Sequence, residues 1–405
     1  MPELIVWLCL GAVAYNYVGY PLLLFVLCVF AQAKSDFLYL VCRTSRRRRL
    51  TPEVPQVAVL ISAYNEQTVI EAKVRNCLEI DYPADRVEFL FGLDAPTDST
   101  AELLSRNQSD RLRVFHFAAR RGKLAVLCDL ARETTAEVLM LTDANTMLEP
   151  TAIRNLVRHF ADPRVGAVSG EEVRVAVPGA EASAEGIYWR YESAVKILES
   201  RLNCSLGGNG AALALRRSLF RPQQHSIVED FQIPLDIRFQ GYQVVYDPEA
   251  IAVEEIAPTW SAQFARRVRI GAGNYQTFFA HPEYLNPGKG LLAFSYFSHR
   301  VLRWIVPFML PIAFVCNLLV LARPALAVLA AMQGIFYLTA TTGWCLKRHA
   351  KPLRWCSGPF HFCAMNVALF LGLLRCLRGR QELAWKATPR CLKEARLLDK
   401  VGGNS

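Results

Sequence analysis

The sequence predicts an α/β fold with a mainly parallel sheet, flanked by helices that belong to a membrane. Three observations carry this expectation. Between residues 57 and 160, short apolar runs alternate with segments of helical periodicity, the pattern of a parallel sheet covered on both faces. Three of the four apolar runs stop on a cluster of acids or amides. Long, nearly uncharged stretches lie on either side of this region, close to the roughly 20 apolar residues that cross a bilayer.

The 405 residues are too many for one small domain. Hydrophobic residues make up 52% of the chain and the mean hydropathy is +0.18, which places part of it in lipid. The 46 basic and 36 acidic residues give a formal charge of +10, suited to lipid headgroups, nucleic acid or nucleotide diphosphates. The 12 cysteines include no Cys-X-X-Cys pair and read as free thiols in a reducing compartment.

Leu4–Ala31 is long enough to span a membrane and carries no basic leader, so it reads as an anchor. Lys34, Arg43 and Arg46-Arg47-Arg48-Arg49 follow it. By the positive-inside rule that flank is cytoplasmic. Without interleaved aromatics, the arginines describe a lipid-facing flank and no nucleic-acid surface.

The expected strands are Val57–Ile61, Val87–Leu93, Leu112–Phe117 and Val138–Leu141. The expected helices are Gln67–Ile80, Ser99–Asn107, Lys123–Arg132 and Thr151–Phe160. The strands end on Tyr64-Asn65-Glu66, on Asp94 and Asp98, and on Asp143-Ala-Asn145. Ligands of parallel α/β sheets gather beyond the carboxyl ends of the strands. Asp143 and Asn145 are two oxygen ligands spaced for one hard cation, which can clamp a diphosphate. Each cluster alone also reads as a helix cap; three on one edge describe a nucleotide site better. The phosphate-loop and dinucleotide fingerprints are absent, which excludes a standard ATPase or dehydrogenase.

Gly207-Gly208-Asn209-Gly210 lets backbone approach a ligand closely, or is a simple loop. Glu229-Asp230 stands at the start of an expected helix, Asp230–Phe239, either as ordinary helix-start acids or as reactive carboxylates. Arg266-Arg267-Val268-Arg269 lies in an expected helix from Ala262 to Phe279, as a solvated face or a phosphate clamp. Val301–Ala322 and Ala325–Leu346 are each about one bilayer long, and Lys347, Arg348, Lys351 and Arg354 return the hairpin to the cytoplasm. Phe297–Trp304 mixes aromatics with His299, Arg300 and Arg303, as an interfacial helix does. Gly358–Leu374 is short for a span and is expected to be re-entrant or in-plane.

Taken together, these residues resemble the membrane-embedded family 2 glycosyltransferases, the group of cellulose, hyaluronan and poly-N-acetylglucosamine synthases. The resemblance runs from Val57 to about Arg390. Ser62-Ala63-Tyr64-Asn65-Glu66 is similar to the family's opening strand end, and Asp94-Ala-Pro-Thr-Asp98-Ser-Thr100 to its Asp-Gly-Ser-Thr-Asp-Gly-Thr loop. Arg121-Gly122-Lys123 matches the Gly-Lys that reaches the diphosphate, and Asp143-Ala-Asn145 the metal motif. Gly207–Gly210 matches the acceptor loop, Glu229-Asp230 the Glu-Asp that holds the base, and Trp385-Lys-Ala-Thr388-Pro-Arg390 a tail motif. Two departures stand out. Asn145 replaces a second Asp, and Arg266-Arg267-Val268-Arg269-Ile270 replaces Gln-X-X-Arg-Trp, so the ring that stacks on an acceptor sugar is lost.

The resemblance implies a GT-A, Rossmann-like catalytic domain and inverting transfer from a nucleoside-diphosphate sugar, with UDP the expected nucleotide. Asp230 would act as base with Glu229 beside it. Asp143 and Asn145 would hold Mg²⁺ or Mn²⁺. Tyr64, Asn65, Glu66, Asp94, Lys123, Arg266 and Arg269 would bind the nucleotide, and Gly208, Asn209, Gly210 and Trp385 the acceptor. The expected organisation is an anchor at 1–33, a basic linker at 34–55, the catalytic domain at 56–288, interfacial and transmembrane helices at 289–376, and a basic cytoplasmic tail at 377–405. The acceptor would be a growing polysaccharide or a lipid-linked hydroxyl at the cytoplasmic membrane face, with partner subunits for export. A non-enzymatic scaffold for anionic lipid or nucleic acid explains the charge but not the acids at the strand ends.

Overall fold

The computed structural model describes residues 1–42, 54–175, 183–221, 228–256, 259–349 and 354–379. The tail motif with Trp385 and the arginine run 46–49 lie outside the described residues. The chain divides into two compact units: Met1–Val29, Ala182–Tyr191 and Gln263–Gln381, and Phe30–Glu181, Glu192–Ala262 and Glu382–Ser405.

Along the chain, α1 (Pro2–Ala14) runs through a π-helical turn, Tyr15–Gly19, into α2 (Tyr20–Cys42). Then β1 (Val57–Ala63), α3 (Ile70–Leu78), β2 (Val87–Asp94), α4 (Thr100–Ser105), β3 (Leu112–Phe117), α5 (Lys123–Leu130) and β4 (Val138–Asp143) alternate as the sequence predicts. They are followed by β5 (Thr146–Leu148), α6 (Ala152–Val157), β6 (Val165–Val175), α7 (Ser183–Arg201) and β7 (Leu213–Arg216). Next come α8 (Glu229–Phe239), β8 (Gln243–Glu255) and α9 (Trp260–Ala280). The last helices are α10 (Leu291–Ser295), α11 (Leu302–Leu318), α12 (Pro324–His349) and α13 (Arg354–Leu377).

All eight strands form one sheet in the order β3-β2-β1-β4-β7-β6-β8-β5. The pairs β3–β2, β2–β1, β1–β4 and β6–β8 are parallel; β4–β7, β7–β6 and β8–β5 are antiparallel. The sheet is therefore mixed and mostly parallel. Its strands alternate inward to two cores, because successive residues point to opposite faces. On β1, Val57, Val59 and Ile61 pack with α3, α4 and α6, while Ala58 and Leu60 pack with α5 and α8.

Strands β5 to β8 have no counterpart among the expected strands. β5 is three residues and β7 four, too short for a period to show. β8 is interrupted by Asp247-Pro248-Glu249, which reads as a turn. In the sheet this interruption is absorbed by a register shift against Gly170 and Glu171 of β6, a bulge.

In the other unit, Leu291–Leu318 forms one helical run with a π-helical turn at Tyr296–Val301. The expected interfacial segment Phe297–Trp304 thus continues directly into the expected span, with His299 and Arg303 buried. The two π-helical turns meet: Asn16 Nδ2 donates to the Ser298 carbonyl at 2.6 Å, and the Tyr20 and Ser295 hydroxyls are 2.6 Å apart. Such pairing satisfies polar groups in apolar helices that have no water to turn to. Gly358–Leu374, expected to be re-entrant or in-plane, lies inside a single 24-residue helix, Arg354–Leu377. Residues on both sides of the apolar stretch continue the helix, and Pro359 does not break it. Pro2–Cys42, Leu291–Leu318, Pro324–Leu346 and Trp355–Leu377 are each long and apolar enough to cross a membrane. None of the eleven cysteines among the described residues forms a disulfide.

Helix α5 lies almost against β2. A Cβ at Gly92 would stand 2.3 Å from Val126 Cγ1, with Leu130 and Phe117 also in contact. Val126 is stiff and sits in the core, so it cannot swing aside. Gly92→Ala is expected to cost about 1–3 kcal/mol, as overpacking does, read as a lower midpoint of thermal unfolding.

Candidate active site

Strands β1, β2, β3 and β4 are mutually parallel, so their carboxyl ends share one edge. The strand-end clusters are laced together there. Asn65, in the left-handed region at φ 53°, accepts from Thr97 N at 2.8 Å and donates to Thr97 Oγ1 at 3.0 Å. Glu66 N donates to Thr100 Oγ1 at 2.8 Å. Asp98 accepts from Thr100 N at 3.0 Å and from Gln67 N at 3.3 Å, tying the start of α4 to the loop after β1.

Asp94 is fully buried. Its carboxylate accepts from Arg121 N at 2.7 Å and Gly122 N at 2.9 Å. These bonds fix the loop that enters α5, with Gly122 at φ 90°, a conformation open to glycine. Beside it the Arg120 guanidinium lies 3.6 Å from the centre of the Tyr64 ring, a cation–π stack.

Lys123, the first residue of α5, stands at the centre of the edge. Its Nζ lies 2.6 Å from Asp143 Oδ1 at the end of β4 and 2.6 Å from Glu229 Oε1 at the start of α8. Burial alone would lower the amine's pKa, but Asp143 and Glu229 outweigh it and hold the pKa well above its ordinary value. A raised lysine pKa means that the ammonium, and the stabilisation it brings, persists through alkaline pH and is lost only as the pH rises through that pKa.

Glu229 and Asp230 occupy the first turn of α8, where the helix dipole favours acids. Four residues beyond Asp230 is Pro234, inside the helix. Proline has no N–H to give back to Asp230, and the Asp230 carbonyl accepts instead from Gly208 N at 2.8 Å. This bond docks the glycine loop on α8. A Cβ at Gly210 would lie 3.5 Å from Lys123 Nζ and 3.7 Å from Asp230 Oδ2, so Gly210 keeps space open between them. Asn209 is buried; its Oδ1 accepts from Ala211 N at 3.1 Å, and its Nδ2 has no hydrogen-bond partner among the described residues. A buried donor without a protein partner is open to an oxygen of water or of a ligand.

Asn145 is buried, and its Nδ2 donates to Glu254 Oε1 of β8 at 2.9 Å. That contact leaves Oδ1 as the oxygen able to face a cation. No three His, Cys, Asp or Glu side chains converge as a metal cage among the described residues. Mg²⁺ needs none, being held by one or two carboxylates together with substrate phosphates. The donor set of Asp143 and Asn145 fits an ion that arrives with a diphosphate. The Lys123 ammonium already stands as a positive charge against Asp143.

The structure thus gathers Lys123, Asp143, Glu229, Asp230 and Gly210, and laces Tyr64, Asn65, Glu66 and Asp94 along the same edge. Arg266 and Arg269 lie on α9 in the other unit. Sequence reasoning missed Pro234 and Glu254. A proline four residues after a helix-start acid was a legible signal for the first. The second depends on the pairing of β5 with β8, Thr146 opposite Glu254, which no local pattern shows.

Comparisons with known proteins agree with this geometry. The sequence profile described as glycosyltransferase like family 2 matches residues 55–273, more than half of the chain. The "Probable glycosyltransferase YdaM" of Bacillus subtilis is 24% identical over 245 residues, 55% of this chain and 56% of that protein. The beta-monoglucosyldiacylglycerol synthase of Synechocystis is 26% identical over 275 residues, 64% of this chain and 56% of its own length. The poly-beta-1,6-N-acetyl-D-glucosamine synthase of Staphylococcus aureus is 24% identical over 236 residues, 55% and 56% of the two chains. The chain thus spans little more than half the length of these relatives. Among solved structures, the mannosyltransferase PcManGT of Pyrobaculum calidifontis, in complex with GDP-Man and Mn²⁺, superposes with a TM-score of 0.65 at 24% identity. That match covers 94% of this chain and 100% of the other, and it identifies the fold as GT-A-like.

Lys123→Met is expected to leave Asp143 and Glu229 facing each other without a cation. The loss should be about 2 kcal/mol, below the roughly 3–5 of a wholly buried pair, because solvent reaches Asp143. Thermal unfolding of the purified variant should show a lower midpoint than wild type, and Mn²⁺ should recover more of it than in wild type.

Proposed function

Because the chain belongs to glycosyltransferase family 2, we propose that it moves a sugar from a nucleoside-diphosphate donor, UDP in our reading, to a hydroxyl of a growing polysaccharide at the cytoplasmic face of a membrane. The observation that carries this reading is the Lys123 ammonium held between Asp143 and Glu229, with Asp230 next to it. The two sides of one displacement need different groups: a base on the acceptor and positive charge on the leaving diphosphate. Asp230 takes the acceptor proton as the hydroxyl attacks the anomeric carbon, with inversion there. A positioned carboxylate contributes about 10²–10⁴-fold. Glu229 holds Lys123, and Lys123 faces the departing diphosphate. A Mg²⁺ or Mn²⁺ held by Asp143 and Asn145 supplies Lewis-acid neutralisation of that diphosphate when bound.

Tyr64, Asn65, Glu66 and Asp94 serve the nucleoside, Asp94 by fixing the Arg121–Gly122 loop as well. Asn209 Nδ2 gives its unused hydrogen bond to a sugar hydroxyl, with Gly208 and Gly210 leaving room for the acceptor. Arg266 and Arg269 add charge for the diphosphate, and Trp385 contributes to the acceptor side. Membrane lipids surround the four apolar helices, and export subunits are the expected protein partners.

A second reading is favoured by two observations: Ile270 stands where processive enzymes carry a stacking Trp, and one relative is named for glucosyldiacylglycerol synthesis. It is the addition of a single sugar to a lipid-linked acceptor by the same residues. Product size read by mass spectrometry separates the two.

Asp230→Asn should abolish transfer and leave UDP affinity nearly unchanged, since the base acts on the acceptor. Retention of more than a few per cent of the rate in a UDP-release assay removes Asp230 from that role. Chelation should stop donor binding by wild type, and Asp143→Ala should need far more Mn²⁺ to bind UDP; titration calorimetry with UDP reads both. Binding indifferent to chelators would exclude the metal.

A further inference from the structure

The turn that carries Asp143 and Asn145 is held from below by a lysine. Lys73, on α3, is fully buried. Its Nζ donates to the Thr146 carbonyl at 2.5 Å and reaches Thr142 Oγ1 at 3.5 Å. Thr142 and Thr146 are the residues immediately before and after Asp143-Ala-Asn145. Lys73 has no ion pair among the described residues. Burial pushes its amine below the ordinary lysine value, opposed in part by Cys77 and by the Asp143 carboxylate. Burying an amine in such a position is costly, and methionine would fill nearly the same space without that cost.

Asn76, three residues further along α3, provides a contrast. It donates to the Leu148 carbonyl at 2.7 Å and accepts from Leu148 N at 2.9 Å. Asn76 therefore ties the far end of β5 to α3, which is sufficient to dock the strand. Lys73 acts at the near end and spans the turn.

We propose that Lys73 is a positioning residue that fixes the two ends of the Asp143–Asn145 turn, so that the carboxylate and the amide oxygen keep the spacing a cation–diphosphate requires. The inference rests on the proposed donor site. It predicts a division of labour within one helix: Asn76 secures the fold, and Lys73 secures the geometry of the site.

The test uses purified full-length protein. Mn²⁺ affinity in the presence of UDP is read by electron paramagnetic resonance, alongside KM and kcat for the donor and the thermal midpoint. Lys73→Met should weaken Mn²⁺ binding about tenfold or more, the scale of outer-shell losses. It should raise donor KM in step and leave kcat at saturating metal within about threefold of wild type. Lys73→Gln, which keeps a donor for the Thr146 carbonyl, should shift Mn²⁺ affinity in the same direction by less, and it serves if the methionine variant does not fold. Asn76→Ala should lower the thermal midpoint with Mn²⁺ affinity unchanged. Unaltered or tighter Mn²⁺ binding in the Lys73 variants overturns the proposal, as does an equal loss in Asn76→Ala. Wild-type protein that binds UDP but not Mn²⁺ would remove the metal reading itself, and this inference with it.

Discussion

One ammonium group ties the catalytic edge together. Lys123 begins α5, Asp143 ends β4 and Glu229 begins α8, and the two 2.6 Å contacts at Nζ join all three. Without that cation the two partly buried carboxylates would face each other with no charge between them. The position of Lys123 depends in turn on Asp94, which grips the two backbone amides just before it. Asp94 ends β2, so two strand ends and two helix starts form one electrostatic unit. This economy has a consequence for the reaction. In the proposed reaction, Lys123 offsets Asp143 in the absence of metal, and the diphosphate would bring the extra negative charge that makes a divalent ion worth holding.

The side proposed for the acceptor is built by a different device. Pro234 deprives Asp230 of its helical hydrogen bond, and the freed carbonyl holds the glycine loop through Gly208 N. The residue proposed as base and the loop proposed to admit the acceptor are therefore linked through backbone. Changes in the loop are felt at Asp230 without any side chain in between. Gly210 completes the arrangement by presenting no side chain between Lys123 and Asp230.

The first half of the α/β unit was legible because it repeats. Four apolar runs, three of them ended by acids or amides, gave the parallel strands β1 to β4 and the edge on which Asp94, Lys123 and Asp143 meet. The second half was not, because its strands lack a clean period. β5 is minimal, β7 is four residues, and β8 carries a proline and two acids that only make sense across the bulge with β6. The site followed the same division. Residues at strand ends and helix starts were found, while Glu254 and Lys73 escaped because their partners are distant in sequence: Glu254 meets Asn145, and Lys73 meets Thr142 and Thr146. The membrane helices were legible by hydropathy, but their limits were not. Gly358–Leu374 looked short because Arg354 and Trp355 continue the helix beyond its apolar part.

The central claim is a single displacement in which Asp230 activates the acceptor and the cationic side of the edge receives the diphosphate. The anomeric configuration of the product tests it most directly. With an α-linked nucleotide sugar as donor, proton NMR of the freshly formed linkage should show the β configuration. An α-linked product would require two displacements or a different face of attack, and would contradict the account.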